Sequence, residues 1–250
     1  MTILALMLIC LGTELQGSQS PRATLPVVEY GSLVTTGQGR SSTLTLVNRS
    51  ASEAAQGVVE IVRSDGSVMA GALPGAPTPF SIPPSGSLVL RTSGEGVAIE
   101  GYARVRSNVR TTIEVGADAA AGRESPTGGK PTPTTVARTV TLAVSIDRAS
   151  GRDVRIGVLA LEDAGTHLVV TAYDERGAPV PNGAVHLPFD KLAHRVGAIS
   201  ELIPALGAAP FRGTLTIERQ WATFPGGRLA IAAVAVTSRT AAPIEPTIVR

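Results

Sequence analysis

Short segments in which every second residue is aliphatic constrain the fold of this chain more than any other feature. The clearest is residues 139–146, TVTLAVSI, in which Val140, Leu142, Val144 and Ile146 alternate with smaller or polar residues. A period of two is typical of a β-strand that buries one of its faces. Similar segments recur at residues 43–46, 58–61, 88–90, 103–106, 113–115, 156–160, 170–172 and 215–217.

Turn-forming residues separate these segments, since the chain holds 27 glycines and 18 prolines. Polar or Pro/Gly turns are found at residues 64–66, 83–86, 175–177, 181–183 and 225–227. Residues 229–236 are apolar on both faces, which predicts a central strand that is covered on both sides. One short helix is expected where Ile199, Leu202 and Ile203 fall at helical spacing before Pro204.

A segment rich in Pro, Gly, Thr and Ala, at residues 117–135, predicts a linker. It divides the chain into β-sandwich domain 1, residues 24–116, and β-sandwich domain 2, residues 136–250. The two parts share an order of motifs at a spacing of roughly 110 residues, as expected of a duplicated domain. The matching segments are 58–68 with 169–180, 80–83 with 185–188, and 100–105 with 212–217.

The N-terminus carries an apolar run at residues 3–11 that is too short to span a bilayer and suits the core of a signal peptide. We expect residues 1–17 to be a signal peptide and the protein to be secreted or held in the cell envelope. No Lys or Arg precedes Arg22, so the true start codon and the cleavage site stay open, and a buried N-terminal strand is the alternative. No later segment is long and apolar enough to span a membrane.

Cys10 is the only cysteine, and it lies inside that run. A lipid anchor at Cys10 stays open, although Ile9 is an unusual residue before an anchored cysteine. The mature chain is then expected to contain no disulfide and no thiolate site.

The charges are nearly balanced, with 22 basic and 20 acidic residues and a formal net charge of +2. The arginines are scattered, whereas nucleic-acid binding requires cations clustered on one face. We therefore expect no nucleic-acid partner.

Several motifs of the second half resemble a tandem sandwich module of secreted proteins from acidobacteria and similar environmental bacteria. They are residues 173–177 (YDERG), 187–188 (LP), 194–204 (HRVGAISELIP), 211–217 (FRGTLTI) and 229–236 (LAIAAVAV). The first half resembles the companion module through residues 44–48, 65–66, 82–86 and 101–105. The resemblance implies Immunoglobulin-like antiparallel sandwiches in an extracellular setting, and no catalytic or ligand residues. Residues 220–228 depart from the family, which has a tight connection there.

Two groups of residues have side chains of the kind that bind metals. His186, Asp190 and His194 are spaced by four, but Pro188 interrupts any helix that would align them. The preferred interpretation places solvated imidazoles at a strand end and a loop. Asp147 and Asp153 flank a glycine turn that is expected to be a hairpin and not a calcium loop. No metal, cofactor or catalytic residue is predicted.

The candidate binding residues are Trp221, Phe224 and Arg228, in a Gly/Pro-rich segment that carries the only tryptophan of the chain. An exposed indole with a nearby arginine suits stacking on a sugar or anchoring of a protein partner. The alternative is that Trp221 covers its own sandwich.

The sequence thus predicts an all-β protein of two tandem Immunoglobulin-like sandwiches with one short helix in the second. Its expected function is that of a non-enzymatic extracellular or cell-surface module, structural or adhesive, whose partner is a cell-surface protein or a glycan. The alternative is a carbohydrate-binding module centred on the Trp221 segment. An enzyme with an unrecognised site is the third hypothesis.

Overall fold

The computed structural model describes residues 27–75, 77–118, 132–161, 166–189, 193–220, 229–236, 241–245 and 247–248. These residues form an all-β protein of four antiparallel sheets with one short α-helix. The prediction of an all-β fold with a single short helix in the second half is confirmed for the described part of the chain.

Two sheets stack to form the first sandwich, sandwich 1. Its strands are β1 (Val27–Thr36), β2 (Ser41–Asn48), β3 (Ala55–Arg63), β4 (Thr78–Ile82), β5 (Ser87–Arg91), β6 (Ile99–Ser107), β7 (Thr111–Asp118) and β8 (Thr132–Pro133). The front sheet has the order β4-β3-β6-β1, and the back sheet has the order β5-β2-β7-β8.

The remaining two sheets form sandwich 2. Its strands are β9 (Thr135–Ala137), β10 (Thr139–Ile146), β11 (Asp153–Ala160), β12 (Thr166–Asp174), β13 (Pro179–Phe189), β14 (His194–Ala198), β15 (Phe211–Gln220), β16 (Leu229–Val236), β17 (Ala241–Ile244) and β18 (Thr247–Ile248). The front sheet has the order β13-β12-β15-β10-β18. The back sheet has the order β14-β11-β16-β17, and β9 also pairs with β16.

The two sandwiches share one strand order. If β10 to β16 are matched in sequence with β1 to β7, the front sheets correspond as β4-β3-β6-β1 and β13-β12-β15-β10. The back sheets correspond as β5-β2-β7 and β14-β11-β16. The segments that the sequence pairs at a spacing of roughly 110 residues lie in matching strands.

Two glycines show that the match extends to single residues. Gly101 on β6 and Gly213 on β15 occupy corresponding places, because they pair with Arg63 and Asp174 at the ends of β3 and β12. A β-carbon at Gly101 would collide with the carbonyl oxygen of Val62, and one at Gly213 with that of Tyr173. Both places require glycine because the neighbouring backbone approaches so closely.

The turns that follow β3 and β12 also correspond. Gly66 has φ +86° and Gly177 has φ +78°, a left-handed backbone that glycine adopts without strain. The amide of Gly66 donates to the carbonyl of Arg63, and the amide of Gly177 donates to that of Asp174, each at 3.0 Å.

Each sandwich encloses its own aliphatic core. The core of sandwich 1 includes Val59, Val105, Leu44 and Ile113, contributed by both of its sheets. The core of sandwich 2 is formed in the same way and includes the fully buried residues Leu142, Val170, Ile156 and Ile231. Burial of such aliphatic side chains is the main force that holds each pair of sheets together.

The helix α1 (Ile199–Leu202) closes one end of sandwich 2. It continues into a 3₁₀ turn at Pro204–Gly207, and Ile199, Ile203 and Leu206 pack into the core. Pro204 ends the α-helix as the sequence predicts. No helical segment in the described part of the chain has the length and hydropathy needed to cross a membrane.

The chain passes from one sandwich to the other at Thr134. β8 ends at Pro133 in the back sheet of sandwich 1, and β9 begins at Thr135 in the back sheet of sandwich 2. The ends of the predicted linker, residues 117–118 and 132–135, therefore contain strand residues, and residues 119–131 lie outside the described part. The predicted domain boundaries stay a prediction.

Candidate functional site at the junction of the sandwiches

A bulge in β1 shapes the contact between the sandwiches. Gly31 pairs with Ala103 and Val34 with Gly101, so β1 holds one extra residue between these pairs. Leu33, within the bulge, has φ +64°, a conformation that is rare for a branched side chain and is maintained only where the surroundings fix it. The corresponding strand β10 pairs with β15 without interruption from Thr139 to Ile146.

The bulge directs Ser32 into sandwich 2. The Oγ atom of Ser32 lies 2.9 Å from Nε2 of His194 on β14, and both residues are buried. The backbone amide of Ser32 donates to Oγ1 of Thr134 at 3.0 Å. Ser32 therefore bonds both to Thr134, where the chain passes between the sandwiches, and to the back sheet of sandwich 2.

Gly157 on β11 makes room for the bulge. A β-carbon at this position would collide with Oγ of Ser32 and would lie 2.9 Å from Cδ2 of Leu33. The extra residue on one strand and the missing side chain on the other thus fit together as a projection and a recess.

His194 lies on the outer face of sandwich 2 and is only 2% exposed, because sandwich 1 covers it. It pairs with Leu159 across the sheet, and its ring centroid lies 5.4 Å from that of Tyr102. Burial lowers the pKa of His194 from 6.5 to about 4, so its ring is neutral near pH 7. Its Nδ1 atom has no hydrogen-bond partner among the described residues.

A small apolar cluster surrounds this pair. Val62 and Tyr102 from sandwich 1 meet Leu159 and Ala230 from sandwich 2, and all four are fully buried. Burial raises the pKa of Tyr102 to about 12, so its hydroxyl stays protonated. The cluster also explains the two-sided apolar pattern of β16, since Ile231 faces the core of sandwich 2 and Ala230 faces sandwich 1.

Two groups of charges border the cluster. Arg155 of sandwich 2 donates to the carboxylate of Glu100 of sandwich 1 at 2.5 Å, with both side chains partly exposed. Within sandwich 1, the buried carboxylate of Glu60 accepts from Arg104 at 2.8 Å and from Arg106 at 2.9 Å. The ion pair of Arg155 and Glu100 is thus a second polar contact that spans both sandwiches.

A serine within hydrogen-bonding distance of a histidine is also the arrangement used in nucleophilic catalysis. That chemistry requires a carboxylate or a similar group to orient the second ring nitrogen, and access for a substrate. Nδ1 of His194 has no such partner in the described part of the chain, and Ser32 is completely buried. In the described structure the pair connects β1 of sandwich 1 with β14 of sandwich 2.

The predicted binding residues Trp221, Phe224 and Arg228 lie outside the described residues. Their segment, residues 221–228, connects β15 to β16. In sandwich 1 the matching connection, between β6 and β7, is only residues 108–110. The connection in sandwich 2 is therefore five residues longer than its counterpart (eight minus three).

The structure separates the histidines that the sequence spaces by four. His186 is exposed on the front sheet of sandwich 2, whereas His194 is buried on the back sheet, and Asp190 lies outside the described residues. The expectation that both imidazoles are solvated is wrong for His194, because sandwich 1 covers it. In the ranges that the structure describes, no three His, Cys, Asp or Glu residues are grouped to hold a metal.

Asp147 and Asp153 do not face each other across a site. The side chain of Asp147 accepts from the amide of Ser150, in a 3₁₀ turn at Arg148–Ser150, and its backbone carbonyl accepts from the Ser150 hydroxyl. Hydrogen bonding to Ser150 lowers the pKa of Asp147. Asp153 instead accepts from the hydroxyl of Ser200 on α1. The predicted hairpin turn is confirmed, since Asp147 pairs with Arg152.

Matching hollows lie at one end of each sandwich. The hollow in sandwich 1, of about 440 Å³, is lined by Thr35, Arg40, Ser64 and Glu100 among others. The hollow in sandwich 2, of about 540 Å³, is lined by Ser145, Glu175, Arg212 and Gly213 among others. Both are open to solvent and have charged side chains in their lining, which suits contact with another surface better than enclosure of a small molecule.

Comparison of the chain with family models, with curated proteins and with solved structures finds no match. Sequence reasoning missed the junction because its parts are distant in the chain: 162 positions separate Ser32 from His194. The local signal was the interrupted alternation around Gly31 and Val34, which is typical of a bulge but does not reveal what it contacts.

Proposed function

We propose that this protein is a non-enzymatic structural or adhesion module of the extracellular space or the cell envelope, in which two sandwiches act as one rigid body. The observation that carries the proposal is the junction, where the strained bulge at Leu33 fits the recess at Gly157. A rigid pair of sandwiches holds its end loops at a fixed separation, which favours binding to an extended surface.

The N-terminal apolar run supports export, and the open hollows support contact with a partner through the ends of the sandwiches. Both features fit a module that acts outside the cytoplasm, where its partner is a cell-surface protein or a glycan. The resemblance to modules of secreted acidobacterial-type proteins points the same way.

We further propose that the sandwiches are Immunoglobulin-like, with a variation at their outer strands. In an Immunoglobulin sandwich the second and fifth core strands (B and E) pair in one sheet, and strands C and F pair in the other. Here β2 pairs with β5, and β3 pairs with β6. The variation is that β1 lies beside β6 and β7 lies beside β2, so the first and last strands exchange places. In addition, β4 pairs with β3, whereas strand D of a constant-type Immunoglobulin domain lies in the sheet of strands A, B and E.

The test is performed in the native bacterium with the full-length gene. Fractionation followed by intact-mass measurement is expected to find the protein in the medium or envelope without about 12 to 20 N-terminal residues. Deletion of the gene is expected to impair surface attachment or envelope integrity. Wild-type protein is expected to restore it, and so is the control variant Glu218→Gln, at an exposed position on the front sheet of sandwich 2. Full-length protein confined to the cytoplasm contradicts the proposal.

A second candidate function is carbohydrate binding through Trp221, Phe224 and Arg228. It is favoured by the connection at residues 221–228, which is five residues longer than its counterpart in sandwich 1. A glycan array tests it, with Trp221→Ala expected to lose about 2 kcal/mol or more of binding free energy, as for an aromatic hot spot. Tyr173→Ala, on the partly exposed face of β12, is the control aromatic. If Trp221 covers its own core, Trp221→Ala instead lowers stability by about 3 to 5 kcal/mol.

A further inference from the structure

We propose that the junction is an acid-sensitive latch: protonation of His194 releases sandwich 1 from sandwich 2 while each sandwich keeps its own fold.

Because His194 lies between the sandwiches, its protonation favours their separation and not the unfolding of either one. Its side chain projects from the outer face of the back sheet of sandwich 2 and takes no part in the core of that sandwich. Its ring contacts Tyr102 and Ser32 of sandwich 1. An imidazolium at this place therefore regains water when the sandwiches part, and neither core needs to open.

The hydrogen bonds of the closed junction suit only a neutral ring. A neutral imidazole has one donor and one acceptor nitrogen, and the hydroxyl of Ser32 can partner Nε2 in either role. A protonated ring has two donors, and Nδ1 has no partner among the described residues. The second proton of His194 would therefore be buried without an acceptor, which is costly for a charged group.

No described carboxylate is positioned to compensate the charge. The charged groups on the elements that pack against His194 are Asp153 and Arg155 on β11, Glu100, Arg104 and Arg106 on β6, Glu29 on β1, Glu201 on α1, and its own neighbour Arg195. The carboxylates of Glu100 and Asp153 are engaged by Arg155 and Ser200. Burial alone accounts for the lowered pKa of His194.

The apolar part of the contact that resists opening is small beside the sandwich cores. Its apolar cluster has four fully buried residues, Val62, Tyr102, Leu159 and Ala230, whereas each sandwich core is several times larger. Domains of one chain are able to move relative to each other unless their contact is large and hydrophobic. The addition of one uncompensated charge is thus enough to favour its separation over unfolding of either core.

The direction and range of the response follow from the two states of His194. The pKa is about 4 when the junction is closed and returns to about 6.5 when water reaches the ring. Opening therefore takes up a proton as the pH falls from about 6.5 to about 4. The equilibrium shifts toward the open form by about tenfold for each pH unit in that range.

The experiment measures the separation of the sandwiches in the full chain. Spin labels at Ser87→Cys and Ala184→Cys, both exposed, report the distance between sandwich 1 and sandwich 2 in a Cys10→Ser background. Circular dichroism at each pH reports whether the strands remain. Between pH 7 and pH 4 the distance distribution is expected to lengthen and broaden while the circular dichroism stays unchanged.

The decisive variant is His194→Gln, whose amide can still reach Ser32 but does not titrate. It is expected to stay closed across the same range, whereas His167→Gln and His186→Gln, at exposed positions, are expected to open like the wild type. Opening of His194→Gln at the wild-type midpoint overturns the proposal, as does a wild type that stays closed until its strands unfold.

If His194→Gln does not fold, the NMR titration of His194 in the wild type decides. Its midpoint must coincide with that of the distance change, and protonation without a distance change overturns the proposal.

Discussion

Leu33 and Gly157 form a pair in which a strained residue of one domain occupies the space of a side chain that the other domain lacks. Cδ2 of Leu33 lies 2.9 Å from the point where a β-carbon on Gly157 would stand, and Leu33 has φ +64°. Strain of this kind costs about 1 to 3 kcal/mol and persists only where the surrounding contacts outweigh it. The bulge is therefore held in its shape by the domain on which it docks.

Gly157→Ala is expected to weaken the junction, because the new methyl group collides with Ser32 and crowds Leu33. Overpacking of this type costs about 1 to 3 kcal/mol. Hydrogen exchange of the β1 amides is expected to accelerate, and chemical denaturation measures the loss of stability. Gly197→Ala, on the neighbouring strand of the same sheet, is the matched control because its β-carbon would meet only the side chain of Leu202, at 3.5 Å. Equal effects of the two variants would show that the fit at Gly157 is unimportant.

Tyr102 is expected to contribute through its ring and not through its hydroxyl. The hydroxyl is buried without a hydrogen-bond partner among the described residues, so Tyr102→Phe is expected to be neutral or up to about 1 kcal/mol more stable. Tyr102→Ala, which empties the centre of the junction, is expected to cost about 3 to 5 kcal/mol. Thermal unfolding of both variants measures the difference, and a destabilised Tyr102→Phe would reveal a partner for the hydroxyl.

Gly101→Ala and Gly213→Ala are expected to destabilise their sandwiches to a similar degree. In each case the added methyl group meets a backbone carbonyl oxygen, of Val62 or Tyr173, that cannot move without disturbing the sheet. We expect a loss of about 2 kcal/mol or more for each, at the upper part of the range for overpacking. Gly116→Ala, whose β-carbon would approach only the carbonyl oxygen of Thr43 at 3.8 Å, is the control and is expected to change stability little.

Glu60→Gln is expected to lower the unfolding free energy by about 1.5 to 3 kcal/mol, as for hydrogen bonds to charged groups. The buried carboxylate of Glu60 accepts from both Arg104 and Arg106, and a neutral amide leaves these guanidinium groups without its charge. The loss is expected to persist at high salt, because buried pairs are weakly screened. Glu218→Gln, at an exposed position of β15, is the control.

The stability of the whole chain is expected to fall with acidification. The pKa of His194 is lower in the folded protein, at about 4, than its ordinary value of 6.5, so the folded state binds fewer protons. Its stabilising contribution is complete above pH 6.5 and decreases by about 3 kcal/mol in total as the pH falls to about 4. Urea denaturation of the wild type and of His194→Gln at a series of pH values measures it. Identical slopes for the two proteins would contradict this assignment.

Most of the fold could be predicted from the sequence because apolar and polar residues alternate wherever one face of a strand packs on a core. Residues 139–146 and 229–236 are clear cases, and Pro204 fixed the end of the only predicted helix. β1 was missed because its bulge interrupts the alternation between Gly31 and Val34. A bulge is a local signal, but it resembles an ordinary loop when no partner strand is known.

The site was harder to predict than the fold, for a physical reason. His194 is buried by residues of another domain, so neither its neighbours in the chain nor its spacing from His186 indicates its surroundings. The proposed role of Trp221, Phe224 and Arg228 stays a prediction, because these residues lie outside the described part of the chain.

The two sandwiches meet through faces that do not correspond, since the front sheet of one packs on the back sheet of the other. Head-to-tail contacts between like units can add further units without limit and so produce filaments. Here Thr141 and Thr214 stand on the front sheet of sandwich 2 where sandwich 1 has Tyr30 and Tyr102, and β10 has no bulge. The aromatic residues that join the first unit to the second are thus replaced by threonines at the next face. The front sheet of sandwich 2 therefore lacks both the aromatic residues and the bulge with which sandwich 1 contacts its neighbour.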